Sequence, residues 1–242
     1  VLNLSILAPA SNAITIPVSC VEAGRWSRRT SEFQSSGSSM YARGRAAKSG
    51  QVSFSMRSGS SRSNQGEVWR DISEKAERMS VASETQAMSD IYESRGEKLA
   101  EYLTKFETVE NQVGAMFEID GAISGFDIFD KETTLSKVLP KLVRSYALDA
   151  VEVSSSQKRN ASAEQAAQFI GAVAETPIEH FPAVGLGEDL RMAGRAVSGG
   201  ALNVEGVIVH LYAFPAHTQQ NENTPNVARS RIQRSSRRRR AH

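Results

Sequence analysis

Residues 113–129 read VGAMFEIDGAISGFDIF, two apolar stretches joined by an Asp-Gly pair. Asp-Gly is typical of a two-residue hairpin turn, because both central positions of that turn take a positive φ. The turn pairs Ile119 with Ala122, and an uninterrupted ladder then brings Asp127 opposite Gly114. Glycine has no side chain, so no partner-strand side chain would cover the Asp127 carboxylate. Asp127 and Asp130 also lie close in sequence to cations of the following helix, and this grouping makes Asp127 a candidate for catalytic acid–base chemistry.

A second hairpin is predicted at the Glu-Gly pair of positions 205 and 206. Residues 117–123 and 202–208 align as FEIDGAI and LNVEGVI, which is weak evidence for a structural repeat because apolar hairpins resemble one another. Hairpins exclude a purely parallel sheet. The sequence therefore predicts an α+β fold, a single domain of antiparallel β-hairpins with helical segments inserted between them. The chain begins in an apolar stretch without Met, and we expect it to be truncated at the N-terminus.

Helical periodicity marks four stretches, in which apolar residues recur every three to four positions. The predicted helices cover residues 67–79, 83–106, 131–153 and 162–175. Pro140 lies inside the third and predicts a kink or two successive helices. Alternating apolar residues at 2–6 and 14–18 predict two short N-terminal strands.

Residues 27–66 are rich in Ser, Gly and Arg and contain few apolar anchors. Loops of this length are uncommon inside compact domains, so we expect a long, partly mobile segment without regular structure. Its basic residues, Arg45 among them, are expected on a solvated loop, with a mobile basic flap as the alternative.

The formal net charge of +2 is unevenly distributed along the 242 residues. Residues 219–242 hold seven Arg and one Glu, so residues 1–218 carry a small net negative charge. An acidic body gives no support for nucleic-acid binding by the domain itself. The tail has too few apolar residues to fold and is expected to be disordered. A dispensable extension is favoured over a tail that binds RNA or DNA non-specifically through its arginines.

Several function classes are disfavoured by what the sequence lacks. It contains no G-x-x-x-x-G-K-[ST], H-E-x-x-H, G-x-S-x-G or Cys-x-x-Cys motif. The four His suit no zinc site, so no metal is expected and the cofactor stays unknown. No apolar stretch approaches the roughly 20 residues of a membrane helix, and we expect a cytoplasmic protein. His210 is expected to be a structural sheet histidine, and the single Cys20 a buried, inert thiol.

Residues 20–26 read CVEAGRW and combine a carboxylate, a guanidinium and an indole at the end of a predicted strand. Loops at strand ends are common places for functional sites. Glu22 is a catalytic acid–base candidate, Arg25 a phosphate contact and Trp26 a surface on which a base or sugar stacks. A surface Glu–Arg pair beside a core Trp is an equally weighted alternative.

Further ligand-binding candidates lie on the third predicted helix and in a Gly-rich stretch. Lys141 and Arg144 share a helix face, close in sequence to Asp127, and are suited to binding phosphates. Ordinary salt bridges are the alternative and are favoured for either residue alone. Glu188 follows Gly185 and Gly187 and begins a cluster of charged residues. The glycines indicate a tight turn, but a tight turn does not explain why charged residues cluster there.

Seven stretches together resemble a known family. They are VLNL at 1–4, IPVSCVEAGRW at 16–26, NQGEVW at 64–69, QVGA at 112–115, DIFD at 127–130, PKLVRSYALD at 140–149 and FPAVGLGED at 181–189. On these motifs the chain resembles the ARG and rhodanese-phosphatase-superfamily-associated protein domain family over about residues 1–214. The family name records association with ADP-ribosylglycohydrolases and phosphatase-like proteins, which implies a role around NAD-derived or ADP-ribose-containing nucleotides. Members carry an N-terminal portion ending in Lys-Gln-Asn-Arg that this chain lacks, which implies an incomplete site if those residues contribute to it.

Two functional hypotheses follow from these observations. The leading one is a domain that binds or processes an ADP-ribose-like nucleotide, with Glu22 and Asp127 as the acid–base residues. The ligand contacts would be Arg25, Trp26, Lys141, Arg144 and Glu188. The alternative is a non-catalytic interaction or regulatory module. Convergence of these side chains in one pocket would favour an enzyme, whereas dispersal over the surface would favour the module.

Overall fold

Six strands form one antiparallel sheet at the centre of the fold. The computed structural model describes residues 5–10, 12–25, 36–153 and 160–216. Within these ranges the strands are β1 (Gly114–Ile119), β2 (Ala122–Phe129), β3 (Ile178–Pro182), β4 (Glu188–Ala193), β5 (Val197–Val204) and β6 (Val207–Pro215). The helices are α1 (Ala42–Met56), α2 (Gln65–Arg78), α3 (Met88–Glu93), α4 (Gly96–Leu103), α5 (Glu132–Glu152) and α6 (Ala163–Glu175). This combination confirms the predicted α+β single domain.

The strand order across the sheet is β1-β2-β6-β5-β4-β3, and all neighbouring strands are antiparallel. Both predicted hairpins are present, as β1–β2 and β5–β6. Their strands β2 and β6 pair with each other, so the two hairpins lie side by side. Residues far apart in sequence are thereby brought together near the middle of the sheet.

The register of the first hairpin differs from the prediction beyond the turn. The predicted pairing at the turn is confirmed, but Ser124 is an extra residue, a β-bulge, at which the register shifts. Asp127 therefore pairs with Ala115 instead of Gly114. A shift of one residue moves a side chain to the opposite face of the sheet. The expectation of an uncovered carboxylate is wrong, because Asp127 points toward α1 and α5 and is fully buried.

Helices cover both faces of the sheet. On one face, Ala46 of α1 and Leu139 of α5 belong to the same core cluster as Phe214 of β6. On the other face, Phe169 of α6 packs against Phe126 of β2. Helices α2, α3 and α4 form a second cluster with α5 and with the residues that precede α1. The face under α1 and α5 is the one that holds Asp127.

Helix α1 lies inside the segment that was expected to lack regular structure, and that expectation is wrong for Ala42–Met56. The segment has no apolar periodicity typical of a helix, because α1 buries polar side chains beside apolar ones. Buried Lys48 forms an ion pair with Asp71 of α2. The Arg43 N–H donates to the Asp149 carboxylate of α5 at 2.8 Å. The partners that stabilise α1 therefore come from other elements of the fold.

Most other helix predictions are confirmed, with differences at their ends and joints. Residues 67–79, 131–153 and 162–175 correspond to α2, α5 and α6, and α5 continues through Pro140 without dividing into two helices. Residues 83–106 hold two short helices, α3 and α4, instead of one. Residues 5–10 and 12–25 form no strand and contribute one isolated bridge, Glu22 with Ala87, so the N-terminal strand prediction is wrong there. Across the described ranges, no helix has the length and apolar character required to cross a membrane.

Candidate functional site

A buried carboxylate on β2 forms the base of the candidate site. Asp127 is fully buried and forms a bidentate ion pair with Arg45 of α1, in which Nη1 donates to Oδ2 at 3.2 Å and Nη2 donates to Oδ1. Burial alone would raise the pKa of Asp127. The Arg45 charge and the hydrogen bonds to the carboxylate outweigh burial and hold the pKa below its usual value. Asp127 is therefore ionised at neutral pH.

Arg45 is held between aromatic rings as well as by the carboxylate. Its guanidinium carbon lies 5.2 Å from the ring centroid of Phe214 and 5.9 Å from that of Tyr146. Burial would lower the pKa of Arg45, but the charge of Asp127 raises it above the ordinary value. Both members of the pair are therefore charged throughout the physiological pH range.

His210 of β6 connects Asp127 to the N-terminal segment. Its Nε2 lies 3.2 Å from Oδ1 of Asp127, and its Nδ1 lies 2.6 Å from the hydroxyl oxygen of Ser5. The ring also stacks in parallel on Phe129, with centroids 4.4 Å apart. Because an ionised carboxylate accepts hydrogen bonds, we assign the proton to Nε2, and Nδ1 then accepts the Ser5 hydroxyl proton.

These side chains line a cavity of about 380 Å³ between α1, α5, the N-terminal segment and the sheet. Its polar lining consists of Ser5, Ser39, Arg45, Asp127, Thr134, Lys141 and His210. Its apolar lining includes Ile6, Phe129, Val138, Leu142, Leu202 and Val209. An apolar wall with a few converging polar groups is the usual composition of a small-molecule site.

The structure brings only some of the predicted site residues together. Asp127 and Lys141 line the same cavity. Within the described residues, the Lys141 ammonium group has no ion-pair partner. Glu22 and Arg25 instead form an ion pair of 2.9 Å with each other and do not line the cavity. The acid–base role of Glu22 thus stays a prediction.

The remaining ligand candidates lie elsewhere. The guanidinium of Arg144 on α5 is 5.7 Å from the ring centroid of Tyr92, and its Nε has no hydrogen-bond partner among the described residues. The Glu188 carboxylate at the start of β4 is 3.5 Å from Nδ1 of His180 on β3. Neither Arg144 nor Glu188 lines the cavity. Trp26 lies outside the described residues.

The charged cluster after the Gly-rich stretch is a buried network next to the site. Arg191 donates from Nη2 to Asp189 at 2.8 Å and from Nη1 to the Tyr212 hydroxyl at 2.9 Å. Tyr212 is the β6 residue paired with Asp127, so the network reaches the strand beneath the cavity. Burial raises the pKa of Asp189, although the Arg191 charge opposes that shift. This network accounts for Asp189 and Arg191 in the charged cluster, whereas Glu188 pairs with His180 at the surface.

Three residues of the site were not among the sequence candidates. Ser5 belongs to a stretch predicted as a strand, Arg45 to a stretch predicted as a loop, and His210 was assigned a structural role. Both ring nitrogens of His210 have partners, as a structural histidine requires, but one partner is the cavity-lining Ser5. The available signal was a polar residue in an apolar strand: in VIVHLYAF, His210 shares the inward face with Tyr212.

The fold and the cavity define an α+β domain in which a cluster of Asp127, Arg45 and His210 lies at the base of a small cavity. The chain belongs to the family of the ARG and Rhodanese-Phosphatase-superfamily-associated Protein domain, whose profile matches residues 1–214. The resemblance identified from the sequence motifs is thereby confirmed. No curated protein and no solved structure matches the chain. Among the described residues, no group of three or more His, Cys, Asp or Glu side chains is placed to hold a metal ion.

Proposed function

We propose that this domain binds and processes a small phosphate-bearing ligand of the NAD-derived or ADP-ribose-like class in the cavity above Asp127. The observation that carries the proposal is the position of Lys141. This residue lines a cavity whose base is the Asp127–Arg45–His210 cluster. A cation at the rim and a hydrogen-bonded acid–base pair at the base suit an anionic substrate that undergoes proton transfer.

The polar lining supports recognition of a phosphate group. Arg45 is already neutralised by Asp127, which leaves Lys141 as the cationic partner for an incoming anion. Thr134 lines the same cavity and provides a hydroxyl donor, whereas the Ser39 hydroxyl donates to the Lys141 carbonyl oxygen at 3.3 Å. Charge-assisted hydrogen bonds to phosphate oxygens are stronger than bonds between neutral groups.

The class of ligand comes from the family. Its name associates this domain with ARG and rhodanese-phosphatase proteins, and that association is the basis for proposing an NAD-derived nucleotide. We place the protein in the cytoplasm as part of this proposal, because a chain with a single cysteine forms no intrachain disulfide and suits a reducing compartment.

A thermal-shift screen tests the proposal directly. The panel contains ADP-ribose, NAD, cyclic ADP-ribose isomers and unrelated metabolites. A ligand present at 100 times its Kd stabilises the native state by about 2.7 kcal/mol, so a bound nucleotide should raise the melting temperature by several degrees. No shift with any nucleotide in the panel would contradict the proposal.

A pair of lysine variants separates direct contact from general charge. Lys141→Ala should abolish the nucleotide-induced shift because it removes the cavity cation. Lys137→Ala is the matched control, since Lys137 lies one turn earlier on α5, is exposed and does not line the cavity. An equal loss of the shift in both variants would indicate a general electrostatic effect and not a site.

A non-catalytic interaction module is the second candidate. It is favoured by a larger groove of about 730 Å³, lined by an extended segment that includes Val18 and by the loop before α2. Val18 is 71% exposed there, which is unusual for an aliphatic side chain in a defined groove. A nucleotide-induced shift without product formation in mass spectrometry would favour this candidate over an enzyme.

A further inference from the structure

Ser5, His210 and Asp127 form a continuous hydrogen-bonded chain that the proposed ligand binding does not require. The Ser5 hydroxyl oxygen lies 2.6 Å from Nδ1 of His210, and Nε2 of His210 lies 3.2 Å from Oδ1 of Asp127. The three residues come from the N-terminal segment, β6 and β2. We infer that Ser5 is a nucleophile and that the domain hydrolyses carboxylic esters of small anionic molecules. The inference rests on the proposed function for its cavity and anion contact, and it adds a reaction and a substrate class.

The protonation state of the chain suits this role. Arg45 holds Asp127 ionised, and the carboxylate therefore accepts the Nε2 proton of His210. Nδ1 then carries a lone pair directed at the Ser5 hydroxyl, which is the arrangement of a general base beside its nucleophile. When His210 takes up the second proton, the buried carboxylate stabilises the imidazolium.

The ring of His210 is fixed in this orientation. It stacks on Phe129 at 4.4 Å with parallel planes, and its two nitrogens bind different segments. The N-terminal segment is fixed as well, because the Leu186 N–H donates to the Leu7 carbonyl at 2.8 Å and Ile6 packs against Val52. A nucleophile and base held in place need little reorganisation before reaction.

The reacting atoms have access to a bound ester. Ser5 and His210 both line the cavity, and so does Lys141, whose charge would hold an anionic group of the substrate. The Ser5 oxygen attacks the ester carbonyl carbon while its proton passes to Nδ1 of His210. The carbon–oxygen bond to the alcohol then breaks, and the departing alkoxide takes that proton from His210. A water molecule, deprotonated by the same base, hydrolyses the acyl-Ser5 ester and releases the carboxylic acid and free Ser5.

A fluorophosphonate probe tests Ser5 on the full 242-residue chain without any knowledge of the natural substrate. An activated serine displaces fluoride from this probe, and intact-mass and peptide mass spectrometry then locate the adduct. We expect one adduct on Ser5 in the wild-type chain and none in Ser5→Ala. His210→Ala should slow labelling by about 100-fold or more, which is the usual range for removal of a general base. Ser89→Ala, at an exposed serine remote in sequence from the cavity residues, is the control and should label at the wild-type rate.

Hydrolysis of p-nitrophenyl acetate provides a second readout, with loss in Ser5→Ala and retention in Ser89→Ala. Ser5 is only partly buried, so its alanine variant should fold, and circular dichroism checks this. The inference is overturned if the wild-type chain takes up no adduct, or if labelling and hydrolysis persist in folded Ser5→Ala. These assays contain no nucleotide, so a failure of Ser5 is distinguishable from a failure of nucleotide binding in the thermal-shift screen.

Discussion

Lys75 of α2 and Asp149 of α5 form an ion pair in which neither side chain is exposed, with Nζ 2.5 Å from Oδ1. The other carboxylate oxygen of Asp149 accepts the Arg43 N–H at the start of α1 at 2.8 Å. One carboxylate therefore joins three helices. Because α1 also carries Arg45, the ion pair helps to hold Arg45 against Asp127.

Lys75→Ala should strongly destabilise the fold, because it leaves Asp149 buried without its charge partner. The expected loss in the free energy of unfolding is about 3–5 kcal/mol, measured by urea denaturation at pH 7. Arg70→Ala is the control, since Arg70 forms an exposed pair with Glu74 at 3.8 Å and should cost about 1 kcal/mol or less. Similar losses in the two variants would show that the buried pair has no special role.

Asp127→Asn should lower stability at pH 7 by about 3 kcal/mol, because Arg45, whose side chain is 15% exposed, then lacks its counterion. The pKa of Asp127 in the folded protein is below its usual value of about 3.9. Its stabilisation is therefore complete above the unfolded-state pKa and is lost as the pH falls through the folded-state pKa.

Urea unfolding between about pH 2 and pH 7 measures this pH dependence. As the pH falls from about 7 to about 2, the free energy of unfolding should decrease by more in the wild-type chain than in Asp127→Asn, which lacks the titrating group. Glu179→Gln, at an exposed pair with Arg57, serves as the control and should follow the wild-type curve closely. Parallel curves for the wild-type chain and Asp127→Asn would be the contrary result.

Gly125→Ala should disrupt the bulge in the first hairpin. Gly125 has φ +147°, and an added Cβ would lie 2.7 Å from both Cδ1 of Phe214 and the Tyr146 hydroxyl. We expect a loss of about 2 kcal/mol or more in thermal unfolding. Gly171→Ala in α6 meets no atom within 4 Å and should instead stabilise the chain by about 0.5–1 kcal/mol. Effects of the same sign in both variants would contradict this account.

Truncation after Ala216 tests the Arg-rich tail, which lies outside the described residues. The sequence predicts an unchanged melting temperature, because the tail has too few apolar residues to contribute to a core. Any binding of non-specific RNA at low salt should disappear with the tail and should weaken steeply as salt rises in the full chain. Electrophoretic mobility shifts at several salt concentrations measure both effects. Binding that survives truncation would assign it to the domain.

The elements that the sequence predicts well are those with local signals. The Asp-Gly turn determines the first hairpin, and the periodicity of residues 162–175 predicts α6, whose start Ser162 caps in the structure. Helix α1 has no such signal, because its stability depends on Lys48 and Arg43 contacts with α2 and α5. Tertiary partners of this kind are absent from any local window of sequence.

The residues of the candidate site also divide into those that a local sequence signal predicts and those that depend on tertiary contacts. Asp127 and Lys141 were identified because they lie on elements with clear periodicity. Arg45 was missed as a partner because its helix was missed, and the bulge at Ser124 reversed the expected face of Asp127. A bulge follows from contacts across the sheet, so the register beyond it could not be read from the turn alone.

The bulge occurs twice, and its repetition has a geometric consequence. The register of β5–β6 shifts after Leu202, at the position that corresponds to Phe117 in β1–β2 when their turns are superposed. Pairing between β2 and β6 is centred on Asp127 and Tyr212, which are corresponding residues of the two hairpins. The hairpins are therefore related by an approximate twofold axis perpendicular to the sheet, and it passes between an acid and a phenol. This pseudosymmetry places two equivalent positions at the centre of the sheet. The carboxylate of Asp127 occupies one of them and the phenol of Tyr212 the other, so only one of the two related hairpins contributes an acid there.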